Sequence, residues 1–233
     1  MYRPRTEALR THPSAIEGGT ITVEVPHGLQ RLYARQGDDG FWDHGETSRD
    51  LFSHIAPVPL APDFRVVLER NTSLALLIHT EKARSELIVA PILADLWFRT
   101  DRRISLYSGQ PLDVDIPAGL NGICDFLIGR SPQLPDVTPP FVVVVEAKKD
   151  DIPGAYGQCA AELVAAMRAN ATAKVEMVTI FGCATTGSVW RFMKLTGTHL
   201  EIDAAEYYVT QADRIVGILL HMVGHNLPQA VTA

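Results

Sequence analysis

The sequence predicts a mixed α/β protein with a central β-sheet flanked by helices. Residues 63–99 show helical periodicity, whereas apolar and polar residues alternate in several runs after residue 103. A second helical run, residues 154–170, is rich in alanine and interrupts these strands. The resulting order of helix, three strands, helix and further strands is typical of a single mixed α/β domain.

An N-terminal extension is predicted for residues 1–62. In the segment TITVEV, Ile21, Val23 and Val25 alternate with polar residues and indicate a short strand that Pro26 would end. Residues from Gly37 onward to the end of the extension are rich in Gly, Asp, Ser and Pro, which favours loops. The α/β domain is therefore expected to span residues 63–233.

Two helices are predicted in residues 63–99, with Asp63 and Thr80 as their N-terminal caps. In the second helix Glu86 falls at helical spacing with apolar residues, so its carboxylate is expected to face the protein interior. An unpartnered carboxylate in that position would be costly, which marks Glu86 as a candidate site residue. Pro91 lies inside the same pattern and predicts a kink or a break.

The strands that follow carry the candidate site. In FVVVVEAK, Val142, Val144, Glu146 and Lys148 are expected to share one face, with Glu146 and Lys148 about 6.6 Å apart along the strand. In GICDFLIG, Asp125 shares a face with apolar residues, so a carboxylate is expected inside an otherwise buried strand. Other strands are predicted for ISLYS, PLDVDI, VEMVTIFGCAT, SVWRFMKLT and HLEIDAAEYYV, and a C-terminal helix for QADRIVGILLHMVGH.

Each of these charged residues taken alone has an ordinary structural explanation. A Glu-x-Lys pair at a strand end is commonly a solvated ion pair, and a lone strand Asp commonly accepts backbone amides. Together, however, Glu86, Asp125, Glu146 and Lys148 would direct three acids and a lysine at one place. A phosphodiester repels hydroxide and gathers negative charge in its transition state, so its hydrolysis needs carboxylate-held Mg²⁺ and a nearby cation.

This set of residues resembles the PD-(D/E)XK nuclease superfamily. Asp125 is followed after about twenty residues by Glu146-Ala147-Lys148, and the helix and strand order from residue 80 to residue 195 resembles the restriction-endonuclease-like core, α-β-β-β-α-β. The resemblance implies that Asp125 and Glu146 bind Mg²⁺, for which Mn²⁺ can substitute, and that Lys148 assists the attacking water. The sequence departs from the family pattern before Asp125, where Cys124 stands in place of Pro.

The resemblance also implies further site residues. Glu86 corresponds to the acid that many members carry on the first core helix, which would make it a third metal ligand. Gln158 corresponds to a polar residue on the helix after the third strand, and Tyr156 is a weaker accessory candidate on the same helix. The expected function is a metal-dependent nuclease acting on DNA in preference to RNA, with a homodimer as one assembly. The alternatives are a non-catalytic module that binds nucleic acid or protein, and a purely structural charge network.

The composition of the chain limits its expected location and partners. No apolar run reaches the ~18 residues of a membrane span, and the first residues lack the apolar core of a secretory signal, so no membrane partner is expected. The three cysteines lie in apolar contexts, which predicts buried free thiols and a cytoplasmic location. The formal net charge of -6 argues against a broad basic surface for nucleic acid, but permits a small local phosphate site.

Overall fold

A mixed nine-stranded β-sheet organises the part of the chain that the structure, a computed structural model, describes. The described residues are 21–25, 42–46, 49–116 and 120–224. The strands are β1 (Ile21–Val25), β2 (Trp42–Glu46), β3 (Ser105–Pro111), β4 (Ile123–Gly129), β5 (Phe141–Ala147), β6 (Thr179–Thr185), β7 (Val189–Thr196), β8 (His199–Ile202) and β9 (Tyr207–Tyr208). The α/β class with a mixed central sheet, expected from the sequence, is thereby confirmed.

The strand order is β2-β1-β8-β7-β6-β5-β4-β3, and β9 pairs with β7. Strands β3, β4 and β5 form an antiparallel meander, whereas β5 and β6 run parallel. A parallel pair needs a crossover connection, and a helix supplies it here. At the other side of the sheet, β1 runs parallel to both β8 and β2.

Helices cover both faces of the sheet. They are α1 (Pro62–Ile78), α2 (Glu81–Arg84), a π-helical turn (Ser85–Val89), α3 (Ala90–Arg99), α4 (Ile152–Thr172), a 3₁₀ turn (Val209–Gln211) and α5 (Ala212–Met222). Helix α4 is the crossover between β5 and β6 and packs on one face, called here the α4 face. Helices α1, α3 and α5 and the π-helical turn pack on the opposite face, called the α1 face. Among the described residues, no helix combines the length and the apolar character that crossing a bilayer requires.

Residues 49–61, which precede α1, pack into the core of the α1 face. Phe52 and Leu60 are buried there, 2% and 7% exposed. The backbone N–H of Val58 donates to the carbonyl of Asp213 at the start of α5, at 2.9 Å. This part of the predicted extension therefore shares the core of the predicted domain. Strand β1 agrees with the prediction, whereas β2 lies in a segment for which loops were predicted.

The alternation predicted for β5 is interrupted by a register shift. Ile128 pairs with Val143 and Gly129 with Phe141, which leaves Val142 as an extra residue on β5. Val142 consequently packs on the α1 face, while Val144 packs on the α4 face. The predicted alternation holds only from Val144 onward, which is the half of the strand that carries the candidate site.

The segment PLDVDI is not the second strand that its alternation predicts. Strand β3 ends at Pro111, and the chain then turns, with a single bridge between Asp115 and Leu120. The backbone N–H of Leu112 donates to the carbonyl of Gly122 at 2.8 Å, so the segment closes a loop onto the start of β4. Local closure of the loop thus replaces pairing with another strand.

Candidate active site

The first component of the site is Asp125, at the point where β4 and β5 stop pairing. The last paired residues at this end of the two strands are Phe126 and Val145. One residue further, the Asp125 carboxylate accepts a hydrogen bond from the backbone N–H of Ala147 at 2.8 Å. A side chain thereby replaces the backbone acceptor, and the two strands are free to diverge. Asp125 itself is partly buried, third in its strand after the exposed Ile123.

The second component is the end of β5, which remains fixed by β6. Ala147 is paired with Thr185, and the backbone N–H of Lys148 donates to the Thr185 carbonyl at 2.7 Å. The Lys148 ammonium donates to the Glu146 carboxylate, so the predicted pair is in direct contact. The Glu146 side chain is only 1% exposed, whereas that of Lys148 is 27% exposed. The ion pair is therefore reachable from solvent through the lysine.

Helix α4 contributes the third component. Lys148 Nζ also donates to Gln158 Oε1 at 3.1 Å, so Gln158 lies beside the Glu146–Lys148 pair. One helical turn later, the carboxylate of Glu162 accepts from Gln158 Nε2 at 3.2 Å. Glu162 is 7% exposed and was not predicted as a site residue. One sequence feature could have indicated Glu162, because it is the one charged residue in the otherwise mostly apolar run GQCAAELVAAM.

Burial controls the charge state of the two glutamates. Burial, and next the negative charge of Asp125, raise the pKa of Glu146 to about 7, against the opposing effect of Lys148. Burial, and then the neighbouring Glu146, raise the pKa of Glu162 well above its ordinary range. The titrations of the two carboxyl groups are therefore coupled, because ionisation of one group raises the pKa of the other.

The other two charged residues respond differently. Burial raises the pKa of Asp125, although its bond from the Ala147 amide and the charge of Lys148 oppose that increase. Burial tends to lower the pKa of Lys148, but Glu146, Glu81 and Asp125 outweigh it, so that the pKa lies above its ordinary value. Lys148 is consequently a stable positive charge in the site, and Glu81 of α2 is a further acid near it that the sequence did not indicate.

Two buried carboxylate oxygens at the site accept no hydrogen bond from any described residue. They are Glu146 Oε2 and Glu162 Oε2. When one of the two groups is protonated, a carboxyl–carboxylate hydrogen bond can join Glu146 and Glu162. When both are ionised, their free oxygens need a proton or a cation, because an unpartnered buried oxygen is costly.

The carboxylates of the site suit a hard divalent cation that takes only one or two of its ligands from the protein. Within the described ranges, no group of three or more His, Cys, Asp and Glu side chains is already arranged around one point as a metal site. Mg²⁺ does not require such a group, because it commonly retains several waters and binds through one or two carboxylates. Asp125 and Glu146 would supply those carboxylates, and Glu146 Oε2 is a buried oxygen without another donor.

Glu86 is not part of this cluster, and the prediction that it faces inward is wrong. Its side chain is 62% exposed and forms an i,i+4 ion pair with Lys82 at 3.4 Å. Glu86 is the second residue of the π-helical turn Ser85–Val89, which ends two residues before Pro91. Because a π-turn has more residues per turn than an α-helix, it rotates Glu86 away from the buried row that includes Val89. The break expected at Pro91 is present. It changes the helical spacing on which the prediction for Glu86 depended.

Tyr156 is buried in the core of the α4 face. Its side chain is among the largest fully buried ones. Burial raises its pKa, and the charged groups that act on it are Arg191, Glu206 and Asp151 rather than Asp125 or Glu146. The structure therefore brings together Asp125, Glu146, Lys148 and Gln158 and leaves Glu86 outside.

A small cleft opens beside the cluster, between the start of β4 and helix α4. Its volume is about 30 Å³, which is room for one or two waters. Gln158, Glu162 and Cys124 line it together with apolar residues of both elements. The buried glutamate on α4 is thus close to a water-sized entrance rather than sealed in the core.

Comparison with known proteins reveals no relative of this chain. No family model, no curated protein and no solved structure matches it. Any functional assignment therefore depends on the geometry and chemistry of the cluster itself.

Proposed function

We propose that this chain is a Mg²⁺-dependent nuclease with a restriction-endonuclease-like core that hydrolyses phosphodiester bonds in DNA. The observation that carries the proposal is the meeting of Asp125, Glu146 and Lys148 where β4 and β5 diverge. The order of α3, the β3–β5 meander, α4 and the parallel strand β6 agrees with the order that the resemblance implies. Asp125 and Glu146 are the proposed cation ligands, with Mn²⁺ as an alternative metal.

The roles of the residues follow from their charge states. A bound divalent cation would polarise the phosphate and lower the pKa of a bound water. The Lys148 ammonium remains charged and partly exposed, so it can stabilise negative charge on the attacking oxygen or on the phosphate. Glu146, which exchanges its proton near neutral pH without a metal, would be held in its ionised form beside a cation.

Phosphate recognition in this proposal is local. The net charge of -6 does not favour a broad electrostatic surface. Lys149, which follows Lys148 directly, has a side chain that is 46% exposed and can contact a backbone phosphate next to the scissile one. The expected affinity for nucleic acid without metal is therefore weak.

Cleavage assays with matched variants test the proposal. Purified protein is incubated with Mg²⁺ or Mn²⁺ and with duplex DNA, single-stranded DNA and RNA. Asp125→Asn and Lys148→Ala are expected to reduce cleavage by about 100-fold or more. Glu86→Gln is the control and should cleave like the wild type, since Glu86 is exposed outside the cluster. The proposal fails if no substrate is cut, or if the two site variants cut as well as the wild type.

A second function, a non-catalytic module for nucleic-acid or protein interaction, is favoured by one observation. Lys148 already pairs with Glu146, so this ion pair forms without a metal. Calorimetric titration with Mn²⁺ separates the two functions. A nuclease should bind the metal, and Asp125→Asn should weaken that binding, whereas a module should give no heat.

A further inference from the structure

A continuous chain of hydrogen bonds links α4 to the end of β5. Gln158 Nε2 donates to Glu162 Oε1 at 3.2 Å, and Lys148 Nζ donates to Gln158 Oε1 at 3.1 Å. The same ammonium donates to Glu146. Glu162 therefore stands at the far end of a relay that terminates at the proposed catalytic lysine.

The amide of Gln158 can satisfy this relay in only one orientation. Its NH₂ group is a donor and must face the carboxylate of Glu162, while its oxygen is an acceptor and must face the ammonium of Lys148. In the flipped orientation, two donors would face each other at Lys148. The donors of Lys148 and the acceptor at position 162 thus favour the same orientation of the amide.

The location of Glu162 makes this constraint rigid. Gln158 and Glu162 are one turn apart on α4, so the helix itself fixes their spacing. Glu162 is 7% exposed, and its neighbours in sequence, Ala161 and Leu163, are fully apolar and buried. Its Oε2 accepts no hydrogen bond from a described residue. A position that served packing alone would be filled more favourably by an apolar side chain of similar volume.

We propose that Glu162 is a positioning residue that orients the Gln158 amide and thereby holds the Lys148 ammonium beside Glu146. The inference deepens the proposed nuclease function and rests on it for the role of Lys148. Glu162 does not need to contact the substrate or the metal in this role. Its proposed effect on Lys148 is transmitted through Gln158, in addition to the direct interaction of Glu162 with Glu146.

The test observes Lys148 directly and does not depend on cleavage. The chain has five lysines, so the ¹⁵N–¹H spectrum of its side-chain ammonium groups is simple, and the Lys148→Arg spectrum assigns the signal. Glu162→Met removes the acceptor at similar volume, and Glu162→Gln retains an acceptor. We expect hydrogen exchange at Lys148 to become about tenfold faster in Glu162→Met, as for the loss of one hydrogen bond, and to remain near the wild-type rate in Glu162→Gln.

An internal reference is available in the same spectrum. Lys194 pairs with Glu201 at 3.1 Å, away from α4, and its signal should be identical in all variants. Glu162→Met should also unfold at an equal or higher urea concentration than the wild type, because it removes a buried carboxyl group. If Glu162→Met does not fold, Glu162→Ala, which suits the alanine-rich helix, takes its place.

The outcomes separate this inference from the nuclease proposal. An unchanged Lys148 signal in Glu162→Met would overturn the positioning role while leaving the cleavage test of Asp125→Asn untouched. Failure of both Glu162→Met and Glu162→Ala to fold would assign Glu162 a structural role and would also overturn it. Loss of Mn²⁺ binding in Glu162→Met together with retention in Asp125→Asn would make Glu162 a metal ligand instead. A protein that cuts no substrate but shows the expected exchange would retain the relay and lose the nuclease function.

Discussion

The pH dependence of stability should contain a large contribution from Glu146, and replacing it by Gln should remove that contribution. The side chain is 1% exposed, and its pKa rises from an ordinary value of 4.5 to about 7, mainly through burial. Because the folded protein binds a proton more tightly than the unfolded chain, the folded state carries more protons between these two values. Stability is therefore highest below the lower value and falls as the pH rises towards the upper one.

The magnitude follows from the interval between the two pKa values of Glu146. At about 1.4 kcal/mol for each pH unit, this one group should lower the free energy of unfolding by roughly 3 kcal/mol, mostly between about pH 4.5 and pH 7. Glu162 changes stability in the same direction, because its pKa is raised as well. The wild type should thus become clearly less stable towards neutral pH in metal-free buffer.

Urea denaturation in the presence of a chelator, repeated across this pH range, measures the effect. Glu146→Gln cannot titrate, so its stability curve should be flatter than that of the wild type by roughly 3 kcal/mol. Glu86→Gln removes an exposed carboxylate and should keep the wild-type slope. Parallel curves for the wild type and Glu146→Gln would refute the reasoning, because they would mean that Glu146 titrates as it does in the unfolded chain.

Three further substitutions should lower the free energy of unfolding in urea. Lys148→Met removes the donor to Glu146 and should cost about 2 kcal/mol at mildly alkaline pH, and less under acidic conditions where Glu146 is protonated. Asn170→Leu should cost about 2 to 3 kcal/mol, because the buried amide bonds both the N–H and the carbonyl of Phe141, each at 2.8 Å. Gly217→Ala would place a Cβ 2.5 Å from the backbone carbonyl oxygen of Ala56, which should cost about 1 to 3 kcal/mol.

Matched controls accompany these substitutions. Lys149→Met changes an exposed lysine and should leave stability nearly unchanged. Gly122→Ala introduces a Cβ that meets nothing within 4 Å and should be neutral. Asn170→Asp keeps the acceptor for the Phe141 amide but loses the donor to the Phe141 carbonyl. It should therefore still lower the free energy of unfolding. If Lys148→Met or Gly217→Ala is as stable as its matched control, the contact that it changes does not stabilise the fold.

The centre of the site could be predicted because its determinants are local. From Val144 to Lys148 the side chains alternate as an extended strand requires, so Glu146 and Lys148 must share a face. Asp125 lies on the strand joined to β5 by one loop, one residue beyond the last antiparallel pair, Phe126 and Val145, and so close to Glu146. No contact distant in sequence was needed to place these three residues together.

The helical residues of the site could not be predicted in the same way. Glu86 was misplaced because the π-helical turn changes the phase of the helix, and a fixed period of 3.6 residues cannot anticipate such a turn. Glu162 was missed because α4 is alanine-rich and buried on most of its surface. Such a helix shows no clear apolar stripe, so the sequence does not indicate which face meets the sheet.

Strand pairing across the chain is a third case. The TITVEV segment predicts a strand, but nothing in its alternation indicates that β1 pairs with β8 near the other end of the chain. Pairing of this kind depends on the whole arrangement of the sheet. The position of β1 beside β8 is therefore information that only the folded structure contains.

The hydrogen bond from the Ala147 amide to Asp125 makes that amide a built-in reporter of the site. An amide proton that is hydrogen-bonded to a carboxylate is more deshielded when the carboxylate is charged. The chemical shift of the Ala147 amide proton should therefore follow any change in the charge of Asp125. Protonation, a cation or an approaching phosphate would each alter that charge. Titrations followed at this single resonance can therefore detect ligands of the site without a label and without a known substrate.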